Sequence, residues 1–217
     1  MISVIIPTLN AAAELPRCFD SLISAVVRGT VREVIVADGG SDDETRVIAD
    51  ATGAHIVRAA HGRAAQFMAG AKAAKSDWLL LLHPETALET GWDVEADAFM
   101  SRATLENPRA AYFRYAIEAF GASARRKEMA AAMRCTLFGL PSGEQALLIP
   151  KRLYLKLGGH RAGRREDLDL LRRIGRGRLA LLRSRAINKP RSEDSARAAS
   201  LLQALRLPHA VLSRLSN

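Results

Sequence analysis

Cysteine is nearly absent from this 217-residue chain, which holds only Cys18 and Cys135. The two lie far apart, with no cysteine or histidine nearby at metal-ligand spacing, so neither a disulfide framework nor a zinc site is indicated and a reducing cytoplasm fits. Aromatic residues make up 5% of the chain, which leaves few flat faces on which nucleic-acid bases would stack. No apolar run approaches the length needed to cross a bilayer. The opening Ile2–Ile6 is too short for a secretory core and is stopped by Pro7, so the expectation is a soluble protein of the cytoplasm or one peripheral to the inner membrane face. The glycine-rich dinucleotide fingerprint is missing after the first apolar run, and so is any Walker-type phosphate loop, which removes the main support for a nicotinamide enzyme or an NTPase. Internal repeats and low-complexity linkers are missing as well, and a single domain over 1–217 is expected.

What is present is a core-forming composition, 48% hydrophobic, arranged in a regular alternation. Ile2–Ile6 reads as a buried strand. Glu14–Val26 places Leu15, Phe19, Leu22, Ile23 and Val26 at helical spacing. Val31–Ala37 is the second strand, and Asp42 and Asp43 suit the start of a helix through Ala51, because acidic side chains accept its free N–H groups. Ile56 and Val57 make a third strand, Gly62–Ala74 a small-residue helix, and Trp78–Leu82 a fourth strand buried on both faces. Such alternation argues for an α/β fold, a mostly parallel, Rossmann-like sheet with helices on both faces. The second half is less regular. Trp92–Met100, Arg152–Leu157 and Asp167–Ile174 read as helices, Ala110–Tyr115 and Gln145–Ile149 as strands, while Ala122–Arg134 is alanine-rich and contains Arg125-Arg126-Lys127. From Ser195 the tail carries Leu201, Leu202, Leu205, Leu212 and Leu215 at roughly helical intervals, interrupted by Pro208.

The net charge of +9 is unevenly placed. Residues 1–160 hold 18 Lys and Arg against 18 Asp and Glu, whereas residues 161–217 hold 14 against 5. Nine arginines fall in Arg161–Arg185. Two readings stand for that block: a field attracting diphosphates, anionic lipid headgroups or nucleic acid, or an ordinary solvated surface. The tail likewise supports packing onto the domain or a second subunit, as a homodimer, or a helix laid on an anionic membrane near a lipid-linked acceptor.

Three short polar clusters each follow an apolar run: Pro7-Thr8-Leu9-Asn10, Asp38-Gly39-Gly40-Ser41-Asp42 and His83-Pro84-Glu85. In a parallel sheet these fall at the carboxyl ends of strands, where open sheets of this type bind ligands. Asp38 there suits a ribose hydroxyl or a base N–H, and Gly39 and Gly40 admit a close backbone approach. A tight turn with a helix cap uses the same residue types.

Taken in order, Ile2-Ser3-Val4-Ile5-Ile6-Pro7-Thr8-Leu9-Asn10 with Glu14 and Leu15, then Glu33-Val34-Ile35-Val36-Ala37-Asp38-Gly39-Gly40-Ser41-Asp42-Asp43-Glu44-Thr45, resemble the opening of a family 2 glycosyltransferase of GT-A fold. The resemblance continues through Gly62-Arg63-Ala64-Ala65-Gln66, Gly70, Leu79–Thr86, Gly143-Glu144-Gln145-Ala146, Leu157-Gly158-Gly159 and Glu166-Asp167, reaching about Leu182. It is strongest to a small bacterial, single-domain subgroup without membrane helices. It implies a nucleotide-sugar donor, most often UDP-linked, bound by residues 1–100, and an acceptor bound by residues 101–190; residues 191–217, beyond it, are expected as a basic helical tail. Carried over by position, it puts Pro7, Thr8, Asn10, Glu14 and Asp38 around base and ribose and Arg63 near the diphosphate, with Gly39, Gly40 and Gln66 also among the donor-binding residues. Asp167, in the Glu166-Asp167 pair, is implied as the base that takes the acceptor's proton in an inverting transfer; capping a helix is its alternative role.

The sequence departs from the family at the metal site. An Asp-x-Asp triplet usually holds Mn²⁺ or Mg²⁺ across the diphosphate, and here the triplet is His83-Pro84-Glu85. A carboxylate with an imidazole still suits Mn²⁺, while a strand-ending turn explains the same residues without a metal. Without a metal, Arg63, Arg164 and Arg165 are the groups suited to the leaving diphosphate. Met68 and Glu144 also replace more usual polar residues. Two other function classes stay open: a non-catalytic nucleotide-sugar-binding protein, and a basic nucleic-acid-binding module, which the lack of aromatics in Arg161–Arg185 argues against.

Overall fold

The computed structural model describes residues 1–103, 108–118, 129, 145–163 and 166–189. The alanine-rich Ala122–Arg134 segment, apart from Met129, and the leucine-bearing tail lie outside the described residues, as do Glu144, Arg164 and Arg165.

Eight strands form one sheet in the order β3-β2-β1-β4-β7-β6-β8-β5. They are β1 (Ile2–Thr8), β2 (Val31–Asp38), β3 (His55–Arg58), β4 (Trp78–Leu81), β5 (Thr86–Leu88), β6 (Ala110–Ile117), β7 (Leu147–Pro150) and β8 (Leu179–Asn188). Pairing is parallel across β3-β2-β1-β4 and between β6 and β8. It is antiparallel at β4-β7, β7-β6 and β8-β5. The expected α/β architecture is therefore found, and each antiparallel pair includes a strand of the second half, β7 or β8.

The helices are α1 (Leu15–Asp20), α2 (Ile23–Val27), α3 (Thr45–Ala51), α4 (Arg63–Ala73), α5 (Trp92–Arg102), α6 (Lys151–Lys156) and α7 (Glu166–Ile174). All seven residues of β1 are buried, because helices cover both of its faces. On one side Ile2, Val4, Ile6, Leu80 and Leu82 pack with Leu15 and Cys18 of α1 and Trp92 and Ala96 of α5. On the other Ile5, Ile35, Leu79 and Leu81 pack with Phe67 and Ala71 of α4, Tyr154 of α6, and Leu170 and Ile174 of α7. Alternate residues of one strand thus serve two cores, which explains why these segments read as unbroken apolar runs. α4 can lie this close to β1 only because Gly70 has no side chain: a Cβ there would drive into the Ile5 methyl Cγ2.

Three local features differ from the sequence expectation. The single helix expected over Glu14–Val26 is broken into α1 and α2 at Ser21-Leu22. Ser21 Oγ donates to the Cys18 carbonyl at 2.7 Å, and the Ser21 carbonyl accepts from Trp92 Nε1 at 3.0 Å, so side chains take up backbone groups that a continuous helix would use. Asp43 stands ahead of α3 and ties it to another loop, accepting from Thr45 N at 2.9 Å and from Ala12 N at 3.0 Å. Strands β5 and β8 were not expected. β8 runs through the arginine-rich block and turns Arg183 and Arg185 outward while Leu182 and Ala186 go into the core. Arg185 pairs with Glu89 at 2.7 Å. Arg173 is partly buried, donating to Asp169 and to the Leu157 and Gly159 carbonyls, so the block is divided among separate structural settings. Among the described residues no helix is long and apolar enough to cross a membrane.

The close approach at Gly70 gives a direct test. Gly70→Ala should destabilise the fold by about 1–3 kcal/mol through overpacking, read as a lower urea midpoint at unchanged slope.

Candidate active site

β1 is followed by β2 on one side of it, while β4 lies on the other. The sheet therefore changes direction at β1, and the carboxyl ends of β1, β2 and β4 open on the crevice where such folds take ligands. The three polar clusters of the sequence end these three strands.

The first two clusters are knitted together. Asn10 adopts the left-handed conformation (φ 53°), which its short polar side chain tolerates better than most. Its backbone N donates to Ser41 Oγ at 2.9 Å, and its Oδ1 accepts from Asp42 N at 3.0 Å. Asp38 is only 2% exposed. Its carboxylate accepts from Thr8 Oγ1 at 3.3 Å, from Gly40 N at 3.3 Å, from Ser41 N at 3.1 Å and from Ser41 Oγ at 2.5 Å. The carboxylate therefore builds the loop that follows β2. Gln66 reaches across from α4 to donate to the Thr8 carbonyl, and a Cβ on Gly39 would lie 2.6 Å from its Nε2. Gly40, at φ 103°, completes the turn. Pro7 is buried within β1, and Glu14 is half-buried just ahead of α1.

A second polar group lies beyond β4 on the α4 and α7 side. His83 continues the face of Leu79 and Leu81, is 3% exposed, and meets the Phe67 ring edge-on at 5.6 Å. Asp167 sits in the first turn of α7, an acidic turn that suits the positive helix end. Its Oδ1 is 3.2 Å from His160 Nε2, and its side chain is 22% exposed. Burial pushes the Asp167 carboxyl up, but the His160 hydrogen bond and the positive field of Arg63 work against it and the carboxyl is held below the ordinary carboxylate range. Burial pulls His83 down, against the fields of Glu85 and Asp167, which favours the neutral ring. Phe67, His83, Tyr112, His160 and Asp167 border a small cavity of about 20 Å³, room for a water molecule. Arg63 opens α4 and forms an ion pair with Glu166 at 3.1 Å, joining the first and second halves of the chain at the rim.

Glu85 lies on the α1 side, half-buried. Its carbonyl accepts from Arg17 Nη1 at 3.3 Å, and its charge adds to the burial that raises the Cys18 thiol. Among the described residues no three His, Cys, Asp or Glu side chains form a group able to hold a metal. The donors at the β4 end, Glu85 and His83, fit a metal only if phosphate oxygens complete its shell, the usual arrangement for hard divalent ions at diphosphates.

Residues 3–169 match the family described as glycosyl transferase family 2. The chain belongs to that family. Over 56 residues it is 48% identical to glucosyl-3-phosphoglycerate synthase of Mycobacterium tuberculosis, a stretch covering 26% of this chain and 17% of that protein. Over 50 residues it is 50% identical to a PGL/p-HBAD biosynthesis glycosyltransferase of Mycobacterium bovis, covering 23% of this chain and 19% of the relative. These matched stretches are thus under a fifth of either relative's length. In three dimensions the chain superposes on the M. tuberculosis synthase in complex with Mn²⁺, UDP and phosphoglyceric acid with a TM-score of 0.66 at 22% identity, over 96% of this chain and 79% of that one. The corresponding values for S. aureus TarS 1–349 in complex with UDP-GlcNAc are 0.65 and 15%, over 89% and 60%. Both likenesses establish the GT-A glycosyltransferase fold.

Three residues of this site were not singled out in the sequence. Ser41 lies inside a quoted motif, but its hydroxyl bridges Asp38 and Asn10 only once both loops are folded. His160 and Tyr154 had only the glycine pair Gly158-Gly159 as a signal; both glycines have positive φ, 77° and 58°, and turn the chain back so that His160 meets Tyr154. Ser41→Ala should leave the buried Asp38 carboxylate short of one donor and lower stability by about 1–3 kcal/mol, measurable by thermal or urea unfolding.

Proposed function

We propose that the protein transfers a sugar from a nucleoside diphosphate donor, a UDP-sugar, to an acceptor hydroxyl with inversion at the anomeric carbon, and that Asp167 is the general base. The observation that carries this reading is a partly exposed carboxylate, held below the ordinary carboxylate range, beside the buried His83 that follows β4, the strand that pairs with β1 and its Asn10–Asp38–Ser41 loop. The loop offers backbone and side-chain polar groups to base and ribose, with Pro7, Thr8 and Asp38 behind it as its framework. The sugar-bearing diphosphate would extend from there toward Arg63, which leaves Glu166 if it is to pair with phosphate oxygens.

In the transfer step the acceptor oxygen attacks the anomeric carbon from the face opposite the diphosphate. The new carbon–oxygen bond forms as the old bond to the diphosphate oxygen breaks, and the electron pair leaves with the nucleoside diphosphate. Asp167 takes the acceptor's proton as attack proceeds, so no free alkoxide has to form. The UDP and Mn²⁺ of the M. tuberculosis complex support the donor and metal classes. A divalent ion held by Glu85 and His83 together with the diphosphate would neutralise the leaving group.

Thermal-shift measurements against UDP-, GDP- and dTDP-sugars, with and without Mn²⁺, test base and metal together, and stabilisation by UDP-sugars is expected. Asp38→Ala should remove the nucleotide-dependent shift. Asp167→Asn should retain that shift and lower the rate of UDP release from UDP-glucose by about 10²–10⁴-fold, the usual loss of a general base. Normal turnover by Asp167→Asn would remove the base assignment, and a product with retained anomeric configuration would remove inversion.

A further inference from the structure

Proton uptake in the transfer step needs one face of Asp167, and two buried polar side chains, His160 and Tyr154, stand behind the other. His160 is 7% exposed and both of its ring nitrogens are engaged. Nδ1 is 2.9 Å from Tyr154 Oη, and Nε2 is 3.2 Å from Asp167 Oδ1. The ring stacks on Phe67 with centroids 4.6 Å apart and planes 19° from parallel, which leaves it little freedom to rotate.

The network also fixes the protons. The backbone N–H of His160 donates to Tyr154 Oη at 3.1 Å, so the phenol accepts there and has its own proton left to give to Nδ1. A neutral ring whose Nδ1 accepts carries its one proton on Nε2, facing Asp167. Burial pushes the Tyr154 hydroxyl up to about 12, so it stays protonated and able to donate at physiological pH. Gly159 makes the arrangement possible, since a Cβ there would lie 2.9 Å from the Tyr154 ring.

From this geometry we infer that His160, oriented by Tyr154 and Phe67, is a positioning residue for Asp167: it holds Oδ1 and leaves Oδ2 to face the acceptor hydroxyl. Among the described residues no other hydrogen bond reaches the Asp167 carboxylate, so without His160 the side chain can turn about its last bond. The inference rests on Asp167 being the base. It adds that the rate depends on the Nε2–H donor and not merely on a ring filling the space beside Phe67.

The test uses the full chain with UDP-glucose as probe, following UDP release and UDP binding separately. His160→Phe keeps an aromatic ring and removes the donor; kcat should fall by about 10- to 100-fold, the scale of a misplaced reacting group, with KM and UDP affinity changed by less than about twofold. His160→Gln places an amide N–H near the Nε2 position and should restore most of the rate. Tyr154→Phe removes only the hydroxyl and should lower kcat several-fold at constant KM; it also decides the matter should His160→Phe fail to fold. Wild-type kcat in His160→Phe or in Tyr154→Phe, or equal losses in His160→Phe and His160→Gln, would overturn the inference while an inactive Asp167→Asn left the base assignment standing. An active Asp167→Asn would instead remove both.

Discussion

The burial of β1 on both faces is the constraint on which the rest of the structure depends. With Ile2, Val4 and Ile6 in one core and Ile5 in the other, neither face of the strand is left for polar chemistry. Polar groups of the central sheet are accordingly gathered where the strands stop. The reversal of strand order at β1 separates the loops that follow β1, β2 and β4 enough to form a crevice. Position in the sheet, more than any single residue, makes this margin the place for a ligand.

The two carboxylates of the site illustrate how burial and hydrogen bonding divide labour. Asp38 accepts from two backbone N–H groups and two hydroxyls and is closed off from solvent, so its charge is used up in holding a loop whose outer surface meets the ligand. Among the described residues Asp167 receives one hydrogen bond, on Oδ1, and it remains partly open. The same functional group is closed framework in one place and stays accessible in the other, and the difference lies in the number of donors around it.

Much of the fold was legible in the sequence because strands buried on both faces appear as unbroken apolar runs and the helices between them keep a helical spacing. β8 escaped notice because its arginines, alternating with small and apolar residues, read as charge and not as the solvent face of a strand. The break between α1 and α2 depends on Ser21 and on Trp92, which is distant in sequence and could not be read locally. In the site, Asn10, Asp38 and Gly39-Gly40 announced themselves as a polar group after a strand. Ser41, Tyr154 and His160 did not, because a hydroxyl or an imidazole shows its use only when a turn or a neighbouring loop supplies its partner. The metal question follows the same pattern: His83-Pro84-Glu85 identifies the position, while the neighbours of these residues, Phe67 of α4 at the His83 ring and Arg17 of α1 at the Glu85 carbonyl, come from elsewhere in the chain.

Arg173 gives the Asp167 side of the structure a further property. By gripping the Gly159 carbonyl and Asp169 at once, it bolts the glycine turn to α7, and the Arg63–Glu166 pair fastens the start of that helix to α4. Asp167 is therefore held from two directions, by the glycine turn that carries His160 and by α4, and its place does not depend on any ligand being bound.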